Sequence, residues 1–318
     1  MAKRKPRYFD FVGSLKIYII ISGSLLALAL LCTLIFGVEV DIQFKGGNMA
    51  TYSYTGEVAE NDFHDVIVDV TGIDAKVTGS QNIQTGEPNF NVEFAGSDGF
   101  AVEEQNELLT TLQEKFPQNN IQSVSVSSVS PTMGKDFLLK SLVAVFFSSL
   151  FMIIYIAVRF KKIGGWSAGV FAVIALLHDV AMVFAAFVIF RMPLDDNFIA
   201  VVLVILGYSV NDTIVIYDRI RENEKLYGEV KTLKEIVNDS TNETLTRTIH
   251  TSVSTLGAMV IVCVMGLIYN VDSIITFSLP MIAGLISGSY SSICLCVSGW
   301  TAWKTRGQKD KKAKKLMA

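Results

Sequence analysis

Three groups of polar side chains lie inside or beside strongly apolar stretches of the sequence. His178 and Asp179 are near the middle of one stretch, Asn211 and Asp212 are inside the next, and Arg247 shortly precedes a third. Placing a charged side chain at the centre of a membrane costs about 2.5–3.5 kcal/mol on insertion scales, so such residues are functional candidates by default. These positions are the first places to look for chemistry.

Asp212 is the strongest of these candidates because of its depth. Asp212 lies six residues before Asp218, and Asp218 marks the inner edge of the stretch. This is a separation of about 9 Å along a helix. The short side chain of Asp212 therefore does not reach back to water. Desolvation favours the protonated form of a carboxylate, whereas a nearby arginine favours the ionised form. We therefore predict that Asp212 and Arg247 handle a proton, with Asn211 and Thr248 beside them. A carboxylate with hydroxyl groups also suits sodium, so the identity of the ion stays open at this point.

The other polar residues of these stretches are secondary candidates for the same pathway. Asp179 is deep in its stretch, but His178 beside it also suits a plain packing role. The hydroxyl side chains that follow Arg247 equally suit hydrogen bonds to the backbone carbonyls of their own helix. The secondary candidates are His178, Asp179, His250 and Thr251.

Six apolar stretches must position these residues. The chain has 51% hydrophobic and 18% charged residues, against roughly 25% charged in a soluble domain, and its charges are crowded between the stretches. About 20 apolar residues cross the ~30 Å hydrocarbon core as a helix. We therefore expect a polytopic α-helical membrane protein with six transmembrane helices. The stretches are residues 18–38, 142–158, 166–190, 198–217, 252–269 and 274–300.

Lysine and arginine residues orient these helices. With a cytoplasmic N-terminus, the cytoplasmic segments hold 21 of the 27 Lys and Arg residues, as the positive-inside rule requires. The first stretch is too long for the apolar core of a signal peptide, so we expect it to remain as helix one, with both termini cytoplasmic. The predicted segments are a cytoplasmic N-terminus (1–17), helix one (18–38), an extracytoplasmic domain (39–138), helices two to six with a cytoplasmic loop at 218–249 (139–303), and a basic cytoplasmic tail (304–318).

The extracytoplasmic segment has the pattern of an α+β domain. Strand-like alternation and amphipathic helical periodicity occur in the order β-α-β-β-α-β, which is that of a ferredoxin-like unit. The segment carries sixteen Asp and Glu residues against four Lys, so nucleic acid is not an expected partner. His64 is expected on the surface of the first of its helices. The predicted elements are residues 48–54, 61–70, 75–79, 89–94, 101–116 and 121–129.

Small residues in the last apolar stretch are spaced for close helix packing. Gly284, Gly288 and Ser292 recur at every fourth position, which lets neighbouring helices approach closely. Between helices four and five, the apolar residues of 230–237 predict a short amphipathic helix on the cytoplasmic membrane surface. The basic cluster of 309–315 is expected to attract anionic lipid.

The four cysteines give no sign of a disulfide framework or a metal site. All lie within apolar stretches, where a thiol behaves as a small hydrophobic group. Cys294 and Cys296 are two residues apart, without a companion His or Cys. We therefore expect neither a metal nor a cofactor. The cysteines are Cys32, Cys263, Cys294 and Cys296.

The residues around Asp212 resemble the signature of the SecF family of protein-export membrane proteins. Residues 207–223 read GYSVNDTIVIYDRIREN, a long motif that resembles the fourth span of that family. Lys45 and His250 depart from the family pattern. Further resemblances follow in the expected order along nearly the whole chain: DIQFKGG at 41–47, PTMG at 131–134, LHDV at 177–180, RTIHTS at 247–252 and GSYSS at 288–292.

The resemblance implies a function in protein transport. Members of the family pair with SecD, which has six spans of its own, in a twelve-span unit of the resistance-nodulation-division superfamily in the bacterial cytoplasmic (inner) membrane. The pair is understood to use the proton motive force to promote late translocation of preproteins through the SecYEG channel, after the SecA ATPase has pushed them in. The family residues that match Asp212 and Arg247 form the proton pathway, and His250 beside them would alter its response to pH. The resemblance implies a transport subunit and no enzyme.

Three other functions fit parts of the sequence. A proton-driven exporter of small molecules or lipids is the main alternative, because the same superfamily includes such proteins, although these usually carry both six-span halves in one chain. A passive scaffold with structural charges is the second. An intramembrane enzyme is disfavoured because the apolar stretches contain no H-E-x-x-H motif and no second carboxylate in a G-x-G-D context.

Overall fold

The computed structural model describes residues 8–81, 87–95, 102–129, 131–269 and 271–306. Six helices in these ranges are long and apolar enough to cross a membrane, which confirms the predicted number, and a small sheet lies between the first and the second. The helices are α1 (Leu15–Phe36), α2 (Ile42–Lys45), α3 (Glu60–Thr71), α4 (Val102–Lys115), α5 (Pro131–Arg159), α6 (Gly165–Ile189), α7 (Asp196–Tyr227), α8 (Leu233–Ile268) and α9 (Asp272–Tyr290). The strands are β1 (Gly47–Ser53), β2 (Lys76–Gln81), β3 (Pro88–Ala95) and β4 (Gln122–Val129). Spans one to five are α1, α5, α6, α7 and α8, and span six is Asp272–Arg306.

Span six is a continuous but irregular helix. It consists of α9, a π-helical segment at Ser291–Cys296 and further helix at residues 297–306. Pro280 lies inside α9 and has no N–H to donate to the preceding turn. The π-helical segment holds two adjacent serines, Ser291 and Ser292, that are both completely buried. Short π-helical segments within helices are frequent at functional sites.

Spans three, four and six form the buried centre of the membrane part. In an apolar 18-residue segment of each of these three spans, at least 56% of the residues are buried, against 11–17% in spans one, two and five. Small residues on α6, among them Ala168, Ala172 and Ala175, are buried, and such residues allow neighbouring helices to pack closely. Polar side chains at the centre of this group are shielded from lipid, so their partners must come from the protein itself.

The sheet has one face covered by two helices. Its strand order is β2-β3-β1-β4, and all three neighbouring pairs are antiparallel. Phe63 on α3 lies over Phe90 on β3 with ring centroids 4.6 Å apart, and both side chains are buried together with Tyr52 and Leu112. His64 lies on the partly exposed side of α3, with Nε2 3.1 Å from Asp74 Oδ1. The alternating pattern of β1 thus places Ala50 and Tyr52 in this core.

The chain segment after span one ties the sheet domain to the membrane helices. The backbone of residues 39–41 pairs with Leu194, between spans three and four, through N–H···O bonds of 2.9 and 3.0 Å. Phe44 on α2 stacks on Phe137 of α5 with ring centroids 5.6 Å apart. These contacts link the domain to the loop between spans three and four as well as to span two, which follows it in sequence.

The amphipathic surface helix predicted near residues 230–237 is wrong. The structure has a single helix, α8, that begins at Leu233 and runs into span five, with residues 228–232 as the only non-helical link to α7. Ile236 and Val237 are 2% and 0% exposed, in the same core as Phe11. Their apolar side chains are covered by α7 and the N-terminal segment, so they do not face lipid. Most of the predicted loop 218–249 is accordingly helical.

Candidate functional site

Asp212 is buried on α7 with part of its hydrogen-bonding capacity unused. Its side chain is 2% exposed, and Oδ2 has no hydrogen-bond partner among the residues that the structure describes. Arg247 on α8 is near enough for its charge to act on the carboxylate. Within the described ranges, however, no hydrogen bond and no ion pair within 4.0 Å joins the two side chains. The pair is therefore in electrostatic reach but not in contact.

The other residues predicted beside this pair differ in their exposure and their hydrogen bonds. Asn211 and His250 are exposed, whereas Thr248 is buried and lines a groove of about 220 Å³ between α8 and span six. Thr251 Oγ1 donates to the carbonyls of Arg247 and Thr248 at 3.1 and 2.9 Å. The interpretation of these hydroxyl groups as bonding to their own helix is thus confirmed for Thr251. Of these candidates, Arg247 is the one whose charge acts on Asp212, and in the described part of the chain none of them is hydrogen-bonded to that carboxylate.

Asp179 is the centre of a second and denser polar cluster. Its side chain is 0% exposed. Ser209 on α7 and Ser291 in the π-helical segment donate to Oδ2 at 2.8 and 2.7 Å, and Ser287 on α9 donates to Oδ1 at 2.7 Å. His178 Nδ1 is 3.3 Å from Oδ1. The carboxylate therefore joins spans three, four and six by side-chain hydrogen bonds.

The small-residue stripe of span six makes this cluster possible. A β-carbon on Gly288 would lie 3.2 Å from Ser209 Cβ and 3.7 Å from Asp179 Oδ2, so glycine at this position lets the helices approach to hydrogen-bond distance. Ser292 Oγ donates to the carbonyl of Ser209 at 3.0 Å and accepts from Thr213 Oγ1 at 3.0 Å. The stripe serves close packing between spans of the same chain.

Sequence reasoning missed the serines that bind Asp179. Only Ser292, which is hydrogen-bonded to Ser209, was identified, and as a packing residue. The available signal was the density of hydroxyl side chains in 287–292 opposite a buried carboxylate, but the sequence does not state which spans are neighbours. The missed residues are Ser209, Ser287 and Ser291, which bind Asp179, and Thr213, which binds Ser292.

The adjoining ends of spans two and four, at Arg159 and Asp218, carry exposed charge pairs. Arg159 Nη2 and Arg221 Nη2 lie 3.2 and 2.7 Å from Asp218 Oδ1, at the edge of a cavity of about 1050 Å³. Such solvent-facing pairs contribute little to stability. They fit the interfacial position that the sequence indicated for Asp218.

The described ranges contain no group of three or more His, Cys, Asp or Glu residues that could hold a metal ion. All four cysteines are free thiols. Cys296 Sγ lies 3.4 Å from the hydroxyl of Tyr217 in the core.

Comparisons with known proteins bear on the family of this chain. Residues 109–306, which include spans two to six, match the family described as "Protein export membrane protein SecD/SecF, C-terminal". The chain is 32% identical to the protein translocase subunit SecF of Alicyclobacillus acidocaldarius over 96% of each chain. It is also 32% identical to the protein translocase subunit SecDF of Bacillus subtilis, over 96% of this chain and 39% of that one.

Two solved structures are similar over almost the whole chain. The crystal structure of SecDF from Thermus thermophilus, described as a translocon-associated membrane protein, has a TM-score of 0.77 at 28% identity and covers 94% of this chain and 39% of its own. SecDF in the super-membrane-facing form has a TM-score of 0.69 at 28% identity, covering 99% and 41%. The chain spans about two fifths of these SecDF chains. With its spans and motifs matched in this way, the chain belongs to the SecD/SecF family of protein-export membrane proteins.

Proposed function

We propose that this chain acts as the SecF-like subunit of a SecDF complex, which uses the proton motive force to promote late preprotein translocation through SecYEG. The relatives are named translocase subunits. In the Bacillus subtilis relative the region similar to this chain is part of a SecDF chain more than twice as long. A separate SecD subunit, with six spans of its own, would supply the remainder.

The observation that carries the proposal is the state of Asp212. A carboxylate that is 2% exposed, with one oxygen unpartnered among the described residues, is held in neither charge state by fixed contacts. Movement of Arg247 towards it favours the ionised form and movement away favours the protonated form. A charge that crosses the membrane field gains about 2.3 kcal/mol per 100 mV, enough to bias two arrangements of spans four and five.

We place the protein in the bacterial inner membrane with both termini in the cytoplasm, because most Lys and Arg residues then lie inside. SecD and SecYEG are the proposed direct partners, with SecA and preproteins acting through them. The basic cluster of 309–315 is proposed to contact anionic lipid and lies outside the described residues. We also propose that the sheet domain is ferredoxin-like, which its β-α-β-β-α-β order and its strand order β2-β3-β1-β4 support.

The alternative function is a proton-driven exporter of small molecules or lipids from the same superfamily. It would use Asp212 and Arg247 in the same way, so the site does not separate the two functions. The names of the relatives favour the preprotein as the substrate. A passive scaffold would require that Asp212 affects stability alone.

The test is preprotein release from SecYEG vesicles that contain this chain and its SecD partner. Wild type, Asp212→Asn and Asp218→Asn are compared with the proton gradient intact and after an uncoupler. Asp218 is the matched control, since it is a carboxylate on the same helix but lies at the exposed cytoplasmic end. Asp212→Asn is expected to assemble with SecD and lose the gradient-dependent part of release, while Asp218→Asn keeps it. An Asp212→Asn variant that still responds to the uncoupler like wild type would show that the carboxylate is structural.

A further inference from the structure

Asp179 and the serines around it can be hydrogen-bonded in both charge states of the carboxylate, which a purely structural cluster does not need. We propose that Asp179 is a second proton-binding carboxylate of the membrane part, which gains and loses its proton while the heavy atoms around it stay in place. The inference rests on the proposed function, because the proton it binds would belong to the same transport cycle as that of Asp212. Asp179 would act on that cycle as a positioning residue for span four.

The carboxylate is surrounded by hydroxyl groups and by few charges. It is fully buried, and the charged or titratable groups that face it are His178 on its own helix and Cys296 in the π-helical segment. In the described part of the chain, no Lys or Arg lies within ion-pair distance of it. A buried charge of this kind needs hydrogen bonds to compensate the loss of water. The three serine hydroxyls supply them for the ionised form.

Two of these serines, Ser209 and Ser291, also have a second acceptor close by. Ser209 Oγ is 3.3 Å from Ser292 Oγ, and Ser291 Oγ is 3.2 Å from the carbonyl of Gly288. Ser287 Oγ is 3.3 Å from His178 Nδ1, but this nitrogen accepts only in the tautomer whose Nε2–H is buried without a partner among the described residues, so Ser287 stays a donor to Asp179. A serine hydroxyl has one hydrogen and can turn it to either acceptor.

The second acceptors allow the protonated form to be satisfied as well. When a proton binds, one Asp179 oxygen forms an O–H bond and becomes a donor to a serine oxygen. That serine then turns its own hydrogen to its second acceptor, so one hydrogen bond is exchanged and none is lost. Both charge states are thus hydrogen-bonded in the same packing. A carboxylate kept only to hold three helices together would need just the first set of contacts.

The distances favour a proton over a sodium ion. The serine oxygens lie 2.7–2.8 Å from the carboxylate oxygens, which are hydrogen-bond distances between O–H donors and a charged acceptor. A sodium ion would have to enter between oxygens that are already in direct contact. Its entry would separate spans three, four and six.

A chain of hydroxyl groups extends from Asp179 towards Asp212. It runs from Ser209 to Ser292 and on to Thr213, the residue that follows Asp212 on α7. Ser209 and Asp212 are three residues apart on that helix and therefore neighbours on its surface. A change in the bonding of Ser209 acts on the same helix turn that carries Asp212.

Infrared difference spectroscopy of the purified complex with SecD tests this inference, because a protonated buried carboxyl group has its own C=O band. The bands are recorded over a pH titration for wild type, Asp179→Asn, Asp212→Asn, Ser209→Ala, Ser291→Ala and Ser298→Ala. Ser298 is the matched control: it is a buried serine of span six whose hydroxyl has no partner among the described residues.

We expect Asp179→Asn to remove a titrating carboxyl band that Asp212→Asn leaves in place. Loss of one hydroxyl donor in Ser209→Ala or Ser291→Ala should move the midpoint of that band to higher pH, by about tenfold in proton affinity, whereas Ser298→Ala should not move it. If Asp179→Asn removes no titrating band, or if neither serine variant shifts the midpoint, Asp179 is structural. A band that responds to sodium at constant pH would also overturn the inference. If Asp179→Asn does not assemble with SecD, the midpoints of the serine variants still decide whether Asp179 binds a proton. Failure of the proposed function would appear separately, as an Asp212→Asn variant whose preprotein release still responds to the uncoupler.

Discussion

Gly284 on α9 packs directly against Ile205 on α7, so that a β-carbon on Gly284 would lie 2.7 Å from Ile205 Cγ1 and 2.8 Å from Val183 Cγ2. Neither neighbour can withdraw easily, because Val183 and Ile205 are fully buried. We expect Gly284→Ala to lower the free energy of unfolding by about 1–3 kcal/mol, the usual cost of overpacking a core. The thermal midpoint of the purified protein in detergent measures this.

Gly257 on α8 provides the control for this prediction. A β-carbon there would meet no heavy atom within 4 Å, and alanine is the better helix former by roughly 1 kcal/mol. Gly257→Ala should therefore leave the midpoint unchanged or raise it. Equal midpoints for Gly284→Ala and wild type would mean that spans four and six are not packed as closely as described.

Arg247 should be required for coupling through its charge more than through its shape. No hydrogen bond or ion pair joins it to Asp212 in the described part of the chain, but its charge acts on that carboxylate. We therefore expect Arg247→Gln to lose most of the uncoupler-sensitive preprotein release and Arg247→Lys to keep a substantial part. Arg221→Gln, which removes an arginine paired with Asp218 at the exposed end of the span, is the control and should behave like wild type. A lysine variant as inactive as the glutamine variant would point to a bidentate contact in another state of the cycle.

Asp195, just before α7, should make stability depend on pH. Burial, with contributions from the carboxylates of Asp196 and Asp41, raises the pKa of Asp195 to about 6, although Phe198 N and the Asn197 side chain donate to it and oppose the shift. The folded protein therefore binds this proton more tightly than the unfolded chain does. Its contribution to stability is full below the ordinary pKa of an aspartate and is lost as the pH rises through about 6, over a range of up to about 3 kcal/mol.

Asp195→Asn tests this dependence without removing the helix cap, because asparagine is an equally good capping residue. Thermal midpoints measured from acid to neutral pH should fall less steeply for this variant than for wild type. Asp196→Asn removes the charge of the exposed neighbouring position, which is a smaller contribution to the raised pKa than burial, so it should flatten the curve less than Asp195→Asn does. Parallel curves for Asp195→Asn and wild type would contradict the assignment.

Local pattern was enough to predict most elements of the fold. The strands and helices expected between 48 and 129 occur within two residues of their predicted bounds, because alternation and helical periodicity are properties of short segments. The six spans follow from length and composition in the same way. The burial of Asp212 follows from its depth in span four, which the sequence gives directly.

Features that depend on contacts between distant segments were missed or wrong. The serines around Asp179 come from spans four and six, and only the packing of these two spans against span three brings them to that carboxylate. The surface helix was wrong because Ile236 and Val237 are covered by residues far away in sequence. The π-helical segment at Ser291–Cys296 has no pattern of its own in the sequence.

The N-terminal segment should be held to the start of α8 by Asn238. Asn238 Oδ1 accepts from Val12 N at 3.1 Å, and Nδ2 donates to Asp10 Oδ1 at 2.7 Å. The side chain is 4% exposed. Asn238→Ala removes both bonds, so we expect the free energy of unfolding to fall by about 1–3 kcal/mol and the amide of Val12 to exchange with deuterium faster.

Lys234→Ala is the control for this last prediction, because it breaks a neighbouring contact to the same aspartate. Lys234 Nζ is 3.4 Å from Asp10 Oδ2, and both side chains are about half exposed. Exposed ion pairs of this kind contribute about 0–1 kcal/mol. Exchange at Val12 should therefore be nearly unchanged in Lys234→Ala. If both variants accelerate exchange equally, the segment is held by charge and not by the buried amide, and the placement of residues 8–12 against α8 would have to be revised.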